Sequence, residues 1–471
     1  MTAMSIRRLQ LPAIIIAMTG WLTQGCGRTA LLDSGASKSL ASDAAVSTVT
    51  STGGATSQTT TDGACASGFT ACGRGAATRC YDLTRSSDHC GQCGNACAPG
   101  IVCQSSQCQQ YHCKGALSFK ALTAISTVPA TEYWKYISYY RPALGDFDRD
   151  GILDFVGLPG IGAPIGLLLG KGDGTFQVHP VASAFDSAWT AAAADLNGDG
   201  WLDLATIASD QAEVTVRLGN GDPASLFEPA TVYPTSFAPD QTPYNLLLAD
   251  LDDDGHVDMV ASGADAVTPG KQTLILWRGS ASGELAELSR IAVGSSGTWL
   301  AAADWNQDGV LDLLFGSSTL RMMLGRGDGT FDGEIACGLA LGSNLSSNVI
   351  ADFNHDRKVD LAVREVGIFF GMNGCNFTTL VSAFDGLSSG RLADPLGVAD
   401  FNGDGHADLV TGEITVLLGD GRGGFSSAST FPIAGLQEGV FYLMGDLNND
   451  TKLDLIIIRS DSWQVLLNSC P

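Results

Sequence analysis

Short apolar segments separated by polar turns fill the C-terminal part of the chain. In one group of four, the segments 189–195, 202–208 and 214–218 have the length of strands, and a fourth begins near Phe227. Glycine, asparagine and aspartate fill the connections, as at 219–222, and these residues favour tight turns. Four short strands joined by tight turns make one blade of a β-propeller. The pattern therefore predicts an all-β protein built from four-stranded blades.

An acidic segment of nine residues recurs seven times between such strands. The first copy is 146–154, and the first aspartates of successive copies lie 46 to 55 residues apart. A fixed period of this length is typical of a propeller, a solenoid or an array. Every copy has aspartate at positions one, five and nine and aspartate or asparagine at position three. Apolar strand residues follow position nine, so we expect each copy to join two strands.

The residue types of this segment suit a hard cation. Side-chain oxygens at positions one, three, five and nine, with the backbone carbonyl of position seven, can surround Ca²⁺, which accepts about six to eight oxygen ligands. An EF-hand would instead carry glutamate at position 12 between flanking helices. Acidic surface turns without metal are the alternative interpretation. We predict up to seven structural Ca²⁺ sites, with these ligands: Asp146, Asp148, Asp150, Ile152 and Asp154; Asp195, Asn197, Asp199, Trp201 and Asp203; Asp250, Asp252, Asp254, His256 and Asp258; Asp304, Asn306, Asp308, Val310 and Asp312; Asp352, Asn354, Asp356, Lys358 and Asp360; Asp400, Asn402, Asp404, His406 and Asp408; Asp446, Asn448, Asp450, Lys452 and Asp454.

Two copies depart from the pattern at position six. Five copies have glycine there, which allows a sharp turn, whereas copies five and seven have Arg357 and Thr451. A residue with a Cβ atom is strained at positive φ. We therefore expect the sites that begin at Asp352 and Asp446 to bind calcium more weakly.

The charge of the chain excludes one class of partner. The 471 residues carry a formal net charge of −24, most of it in the acidic repeats, and no basic patch is evident. A nucleic-acid-binding surface needs clustered lysine and arginine. We therefore expect no nucleic-acid partner.

Residues 1–26 have the features of an export signal. Arg7 and Arg8 precede an apolar segment, 11–22, that is too short to span a bilayer. The following 22–26 resembles a bacterial lipoprotein box, which implies a lipid on Cys26 and an outer-membrane or cell-surface location. An ordinary cleaved signal and a secreted protein are the alternative. The chain has 13 cysteines, so removing Cys26 leaves an even number, as an oxidising compartment favours.

Two segments separate this signal from the repeats. Residues 27–63 are rich in serine, threonine and glycine and are predicted to be a disordered linker. Residues 64–112 contain eight cysteines and resemble the stigma-specific cysteine-rich family, a resemblance that implies no chemistry. Disulfides are the favoured interpretation in an exported chain. A zinc site that includes Cys90 and Cys93 is the alternative.

The repeats, together with the turns 169–176 and 324–331, resemble the FG-GAP or VCBS repeats of integrin α-chain heads and bacterial surface proteins. The resemblance covers about 113–471 and implies a seven-bladed propeller whose loop aspartates bind calcium on the outer rim. Arg326, Gly327 and Asp328 spell the tripeptide that integrins recognise in ligands. We interpret it as an ordinary blade turn, since 171–173 occupies the same place.

The seventh blade has only three strands before the chain ends, which would leave a sheet edge open. We predict that 116–126 supplies its fourth strand. This arrangement brings Cys113 beside Cys470, and a disulfide there requires a Cα separation below about 7 Å. Cys337 and Cys375 are then left to pair across blades four and five.

No catalytic constellation emerges from the sequence, and the predicted calcium sites have no position reserved for a substrate. His256 and His406 fall at position seven and are interpreted as exposed turn residues. The leading hypothesis is an exported, lipid-anchored, calcium-stabilised protein, not an enzyme, that binds an unknown surface protein or glycan for adhesion, as a monomer. The alternatives are a carbohydrate-binding lectin and a polysaccharide-active, lyase-like enzyme. Candidate contact residues, which strand packing could equally explain, are Trp134, Tyr136, Tyr139, Tyr140 and Trp189.

Overall fold

The computed structural model describes residues 70–72, 79–81, 101–104, 107–110, 113, 117–122, 125–126 and, with gaps, 142–470. The gaps fall at 158–165, 180–187, 209–212, 239–244, 269–270, 294–298, 317–318, 341–347, 364–366, 382–396, 412–413, 431–440 and 459–461. Within these described residues, all of the regular secondary structure is β-strand. The protein is an all-β, seven-bladed propeller of four-stranded antiparallel blades, which confirms the predicted fold.

The first four blades follow one another along the chain, each with its strands paired in sequence order. Blade one consists of Ala143–Gly145, Asp154–Gly157, Gly166–Gly170 and Phe176–Val178. Blade two consists of Ala188–Ala194, Asp203–Ala208, Glu213–Arg217 and Thr231–Pro234. Blade three consists of Asn245–Ala249, Asp258–Ala264, Gln272–Arg278 and Ala286–Val293. Blade four consists of Trp299–Ala303, Asp312–Gly316, Thr319–Met323 and Ile335–Ala340.

The last three blades keep the same order, but the seventh draws strands from both ends of the propeller. Blade five consists of Val349–Ala351, Asp360–Val363, Gly367–Gly371 and Phe377–Val381. Blade six consists of Gly397–Ala399, Asp408–Val410, Thr415–Gly419 and Phe425–Thr430. Blade seven consists of Phe441–Gly445, Asp454–Ile458 and Ser462–Asn468, completed by Phe119–Ala121 and Ile125–Ser126.

The core lies between the blades, because each blade buries both of its faces. Successive side chains of a strand point to opposite faces. In the second strand of blade four, Leu313 and Phe315 pack in the cluster shared with blade three, whereas Leu314 packs in the cluster shared with blade five. Burial on both faces explains why these strands are continuously apolar rather than alternating. First strands of neighbouring blades contact each other, so the first strand of each blade is innermost.

The two ends of the propeller meet in blade seven. Leu466 pairs with Ala121 and Asn468 pairs with Phe119 in antiparallel register. A disulfide joins Cys113 to Cys470 with a Cα separation of 5.7 Å. The prediction that 116–126 completes this blade is therefore confirmed, and so is the pairing of the two cysteines.

A second disulfide joins neighbouring blades. Cys337 lies in the fourth strand of blade four, and Cys375 lies in the turn before the fourth strand of blade five. Their Cα atoms are 4.8 Å apart. The predicted bridge across blades four and five is confirmed.

Residues before the propeller are described only in part. Thr70–Cys72 pairs with Arg79–Tyr81, and Ile101–Gln104 pairs with Gln107–Gln110. The predictions for the signal, Cys26, the linker and the 127–141 aromatic residues lie outside the described residues, as does the side chain of Trp189. Where the structure describes the chain, it contains no helix with the length and apolarity needed to cross a bilayer.

The Cys113–Cys470 disulfide should contribute to ring stability, because its sequence separation of 357 residues closes nearly the whole propeller. Replacing both cysteines by serine is expected to cost up to about 5 kcal/mol in the chain-entropy description of disulfides. The effect is measured as the difference in thermal midpoint between the parent chain and the variant under oxidising conditions. Replacing Cys337 and Cys375 is the control: its separation of 38 residues predicts a smaller loss. An unchanged midpoint in the first variant would contradict the prediction.

Candidate metal-binding loops

The seven acidic loops occupy equivalent places in the seven blades. Each loop joins the first strand of a blade to its second, and these are the two strands nearest the axis. The resemblance implied sites on the outer rim, whereas the structure places the loops at one face of the ring between the inner strands. Antiparallel pairing then puts the turns between third and fourth strands at that same face.

The backbone amides of each loop fix its acidic side chains. In copy four, Asp304 accepts the amide of Asp308 at Oδ1 (3.0 Å) and that of Gly309 at Oδ2 (2.9 Å). Asp308 in turn accepts the amide of Val310 at Oδ1 (2.8 Å). All seven copies contain the bonds from position six to position one and from position seven to position five. The loop is thus shaped by its own hydrogen bonds.

Position nine behaves differently from the other acidic positions because it is buried and bound on both oxygens. In copy six, Asp408 accepts the amide of Phe401 at Oδ2 and that of Gly419 at Oδ1, each at 2.9 Å. The same two bonds recur in every copy, at these aspartates: Asp154, Asp203, Asp258, Asp312, Asp360, Asp408 and Asp454. The carboxylate therefore ties the loop to the end of the third strand.

A glycine accompanies this carboxylate in six blades, a signal that the sequence reasoning missed. A Cβ atom on Gly419 would collide with the carbonyl oxygen of Ala407, the residue before position nine. The equivalent collision would occur at Gly170, Gly219, Gly279, Gly325 and Gly371. In these six blades the absence of a Cβ atom lets the third strand approach closely enough to donate its amide to position nine. In blade seven Asn468 takes this place.

Burial raises the pKa of the position-nine carboxyls above the ordinary aspartate value. Removal from water is the largest cause, and the other loop aspartates add to it by charge repulsion. The pKa is raised to about 8 for Asp154, Asp408 and Asp454, to about 7 for Asp203 and Asp360, and to about 6 for Asp258 and Asp312. A nearby cation would favour the charged form of every one of these groups.

Acidic oxygens converge closely enough in two loops to hold one metal ion. One ligand oxygen from each of Asp146, Asp148 and Asp154 lies within 4.8 Å of the others, and the same holds for Asp250, Asp252 and Asp254. The Oδ1 atoms of Asp146 and Asp252 are buried without a hydrogen-bond partner among the described residues. Buried charged oxygens require compensation. These oxygens therefore fit a cation of the kind that the repeats imply.

Cationic side chains enter two of the loops. Arg278 Nη2 lies 2.7 Å from Asp252 Oδ2 in copy three, and Lys452 Nζ lies 3.7 Å from Asp450 Oδ2 in copy seven. Each supplies part of the positive charge that a metal ion would bring. We therefore expect these two loops to depend less on an ion than copies one and six.

The two copies without glycine at position six keep the shape of the loop. Arg357 has φ 68° and Thr451 has φ 73°, in the region that the glycines of other copies occupy. Their amides still donate to Asp352 and Asp446, at 2.8 and 2.7 Å. The missing glycine therefore adds backbone strain but does not change the geometry of the loop. Weaker ion binding at these two copies stays a prediction.

The tripeptide at Arg326, Gly327 and Asp328 forms an ordinary blade turn, as predicted. Arg326 donates its amide to Thr330 at 3.0 Å, just as Lys171 donates to Thr175 at 3.0 Å in blade one. The Arg326 guanidinium pairs with Asp332 at 2.7 Å. The turn is therefore a feature of the repeat.

Comparison with known proteins supports the repeat assignment. A family model described as FG-GAP-like repeat matches residues 146–206, 195–261 and 400–457, so the chain contains FG-GAP-like repeats. The comparison with curated proteins gave no match.

Three solved structures illustrate the likeness in fold. A lectin of Agrocybe aegerita that recognises non-reducing terminal N-acetylglucosamine is 18% identical, with TM-score 0.46, over 67% of this chain and 88% of the lectin. A rhamnogalacturonan lyase of Bacillus licheniformis is 12% identical, with TM-score 0.42, over 80% and 81% of the two chains. Sqt1 of Saccharomyces cerevisiae is 12% identical, with TM-score 0.47, over 75% and 100%.

Substitutions at positions nine and five should separate the structural carboxylate from an ion ligand. Asp408→Asn turns one acceptor oxygen into a donor that faces a backbone amide, and an unmatched buried group of this kind costs about 1–3 kcal/mol. Its thermal midpoint should fall in calcium and in EDTA alike. Asp404→Asn is the matched control, because its amide oxygen can still accept the bond from His406. Its other bond, from Asn402 Nδ2, joins two half-buried side chains, so water can replace it. Equal midpoints for both variants in EDTA would refute the distinction.

Proposed function

We propose that the protein is an exported, calcium-stabilised propeller that acts as a binding or adhesion protein at the cell surface. The observation that carries this proposal is the convergence of carboxylates in the loops at the ring face, where the buried Oδ1 atoms of Asp146 and Asp252 have no hydrogen-bond partner among the described residues. Such a cluster fits an ion whose binding energy becomes folding energy.

The residues that would hold calcium follow from the loop geometry. The side chains at positions one and three are held by the loop amides, because Asp304 and Asn306 both accept the amide of Asp308 at position five. Position seven is held by its amide bond to position five, which fixes the neighbouring carbonyl that the repeat would offer. When bound, calcium would supply the positive charge that the buried carboxylates lack.

Export is supported by the two disulfides of the propeller. Cys113–Cys470 closes the ring and Cys337–Cys375 joins two blades. Disulfides of this structural kind persist in oxidising compartments and are rare in the cytosol. A lipid anchor at Cys26 would tether the propeller to the outer membrane or cell surface, and the linker 27–63 would give it reach.

Binding would use the face opposite the acidic loops. The antiparallel order puts the ends of the second strands and the beginnings of the third strands at that face, such as Ala264 and Gln272 in blade three. Loops on a rigid scaffold carry recognition more often than strands do. The ring itself supplies the rigidity.

Calcium dependence should appear as a stability difference that grows with pH. In EDTA, the raised pKa of carboxyls such as Asp154 and Asp408 (about 8) exceeds the value of about 4 in the unfolded chain, so stability should fall as pH rises from about 4 to 8. In calcium the carboxylates are compensated and this fall should vanish. We expect a gap in thermal midpoint of at least about 10 °C at pH 8 and a smaller gap at pH 6. Identical melts with and without calcium would overturn the proposed ion.

The binding role is tested with the full mature chain and extracts of its own cell surface. Labelled protein should bind the extract in calcium and lose binding in EDTA, with circular dichroism recording whether the fold is retained. Asp404→Asn should require more calcium for binding, whereas Glu228→Gln, a change at an exposed carboxylate outside the acidic loops, should behave as the parent chain. Competition by defined glycans would assign the partner to a carbohydrate. An absence of saturable binding in calcium would sink the proposal.

A further inference from the structure

Neighbouring acidic loops touch through the side chain at position four. This residue has positive φ in all seven copies, for example 56° at Arg149, 63° at Gln307 and 57° at His355. The Arg149 guanidinium stacks on Trp201 of the next loop, 4.9 Å from the ring centroid. Gln307 Nε2 donates to the carbonyl of Arg357 in the next loop at 2.8 Å. Position four is therefore directed by the backbone toward the following loop.

In copy five this arrangement brings two imidazoles together. His355 Nε2 lies 3.1 Å from Nδ1 of His406, which stands at position seven of copy six. The ring centroids are 4.7 Å apart with an interplanar angle of 76°. We propose that His355 and His406 form a binding site for a divalent transition-metal ion such as Zn²⁺, distinct from the acidic calcium positions and bridging blades five and six.

The spacing of the two nitrogens suits such an ion. Zinc binds imidazole nitrogen at about 2.0–2.1 Å. Two nitrogens around one ion are therefore about 3.3 Å apart in tetrahedral geometry and about 2.9 Å apart at a right angle, as copper prefers. The observed 3.1 Å lies between these values. Small movements of the two rings would complete either arrangement.

The chemistry of the donors separates this site from the calcium positions. Imidazole suits zinc, copper and nickel, whereas calcium takes oxygen ligands. His406 would offer calcium only its backbone carbonyl, so its side chain is available for a second ion. The site therefore works whether or not the neighbouring loops hold calcium.

The two rings are positioned before any ion arrives. The amide of His406 donates to Asp404 Oδ1 at 2.9 Å, which fixes its main chain. Its ring packs against Gly421, where a Cβ atom would collide with the imidazole. The positive φ of His355 aims the partner ring across the gap between blades. Both side chains are reachable from solvent, so water would complete the coordination of the ion.

Zinc titration against a competing chromophoric chelator, in millimolar calcium, tests the proposal on the full chain. Millimolar calcium keeps zinc from the acidic loops. His355→Asn and His406→Asn should each weaken one zinc site at least tenfold. His256→Asn is the matched control, because His256 has the same position seven but follows a loop with Gly198 at position four. Its zinc binding should equal that of the parent chain.

Electron paramagnetic resonance of bound Cu²⁺ gives a second measurement. The parent chain should show two nitrogen ligands, and either histidine variant should show the loss of one. An unchanged thermal midpoint in calcium would establish that the variants fold. Zinc isotherms that are the same in the parent and in both histidine variants would overturn the proposal and leave the pair as a hydrogen bond between rings. This result would not bear on the calcium proposal, which the melts in EDTA decide.

Discussion

The buried aspartate at position nine is the interaction on which the ring depends. It removes a carboxylate from water and offsets that cost with two backbone amides, one from the acidic loop and one from the end of the third strand. Hydrogen bonds donated to an ionised acceptor are stronger than neutral ones, yet a buried charge without a counter-charge is costly. Repeated in every blade, this arrangement concentrates buried carboxyl groups at one face of the ring. An ion bound there would contribute its binding energy to folding.

The same loops connect each blade to the next. In copy five, Phe353 at position two donates its amide to Asp360, and its carbonyl accepts the amide of Gly423 from blade six at 3.1 Å. In the same way, the carbonyl of Trp305 accepts the amide of Gly374. The carbonyl of Leu447 accepts the amide of Gly174 where the ring closes between blades seven and one. One peptide segment thus links position nine to the turn of the following blade. A disturbance of one acidic loop would reach the neighbouring blade without passing through the core.

The strands and loops were predictable because local chemistry determines them. Apolar strand segments, turn residues and the spacing of the aspartates are each visible within a few residues of sequence. The strand at 119–121, which precedes blade one in the chain, was predictable because the last blade lacks a fourth strand. The use of both position-nine oxygens was not predictable, since it depends on how closely the third strand approaches. Strain at Arg357 was expected from local preference, and the structure shows that the surrounding loop imposes the positive φ all the same. The contact between His355 and His406 needs the rotation between two blades, which no single segment of sequence contains.

The positions that repeat and those that vary have different physical tasks. Positions one, five and nine are aspartate in every copy, and in every copy their oxygens accept backbone amides. Positions four and seven face neighbouring loops, where an arginine on a tryptophan and a pair of imidazoles serve equally well to join blades. Side chains at these two positions can therefore change without loss of the fold. We therefore expect any binding chemistry that is specific to one pair of blades to lie between two neighbouring loops rather than within one loop.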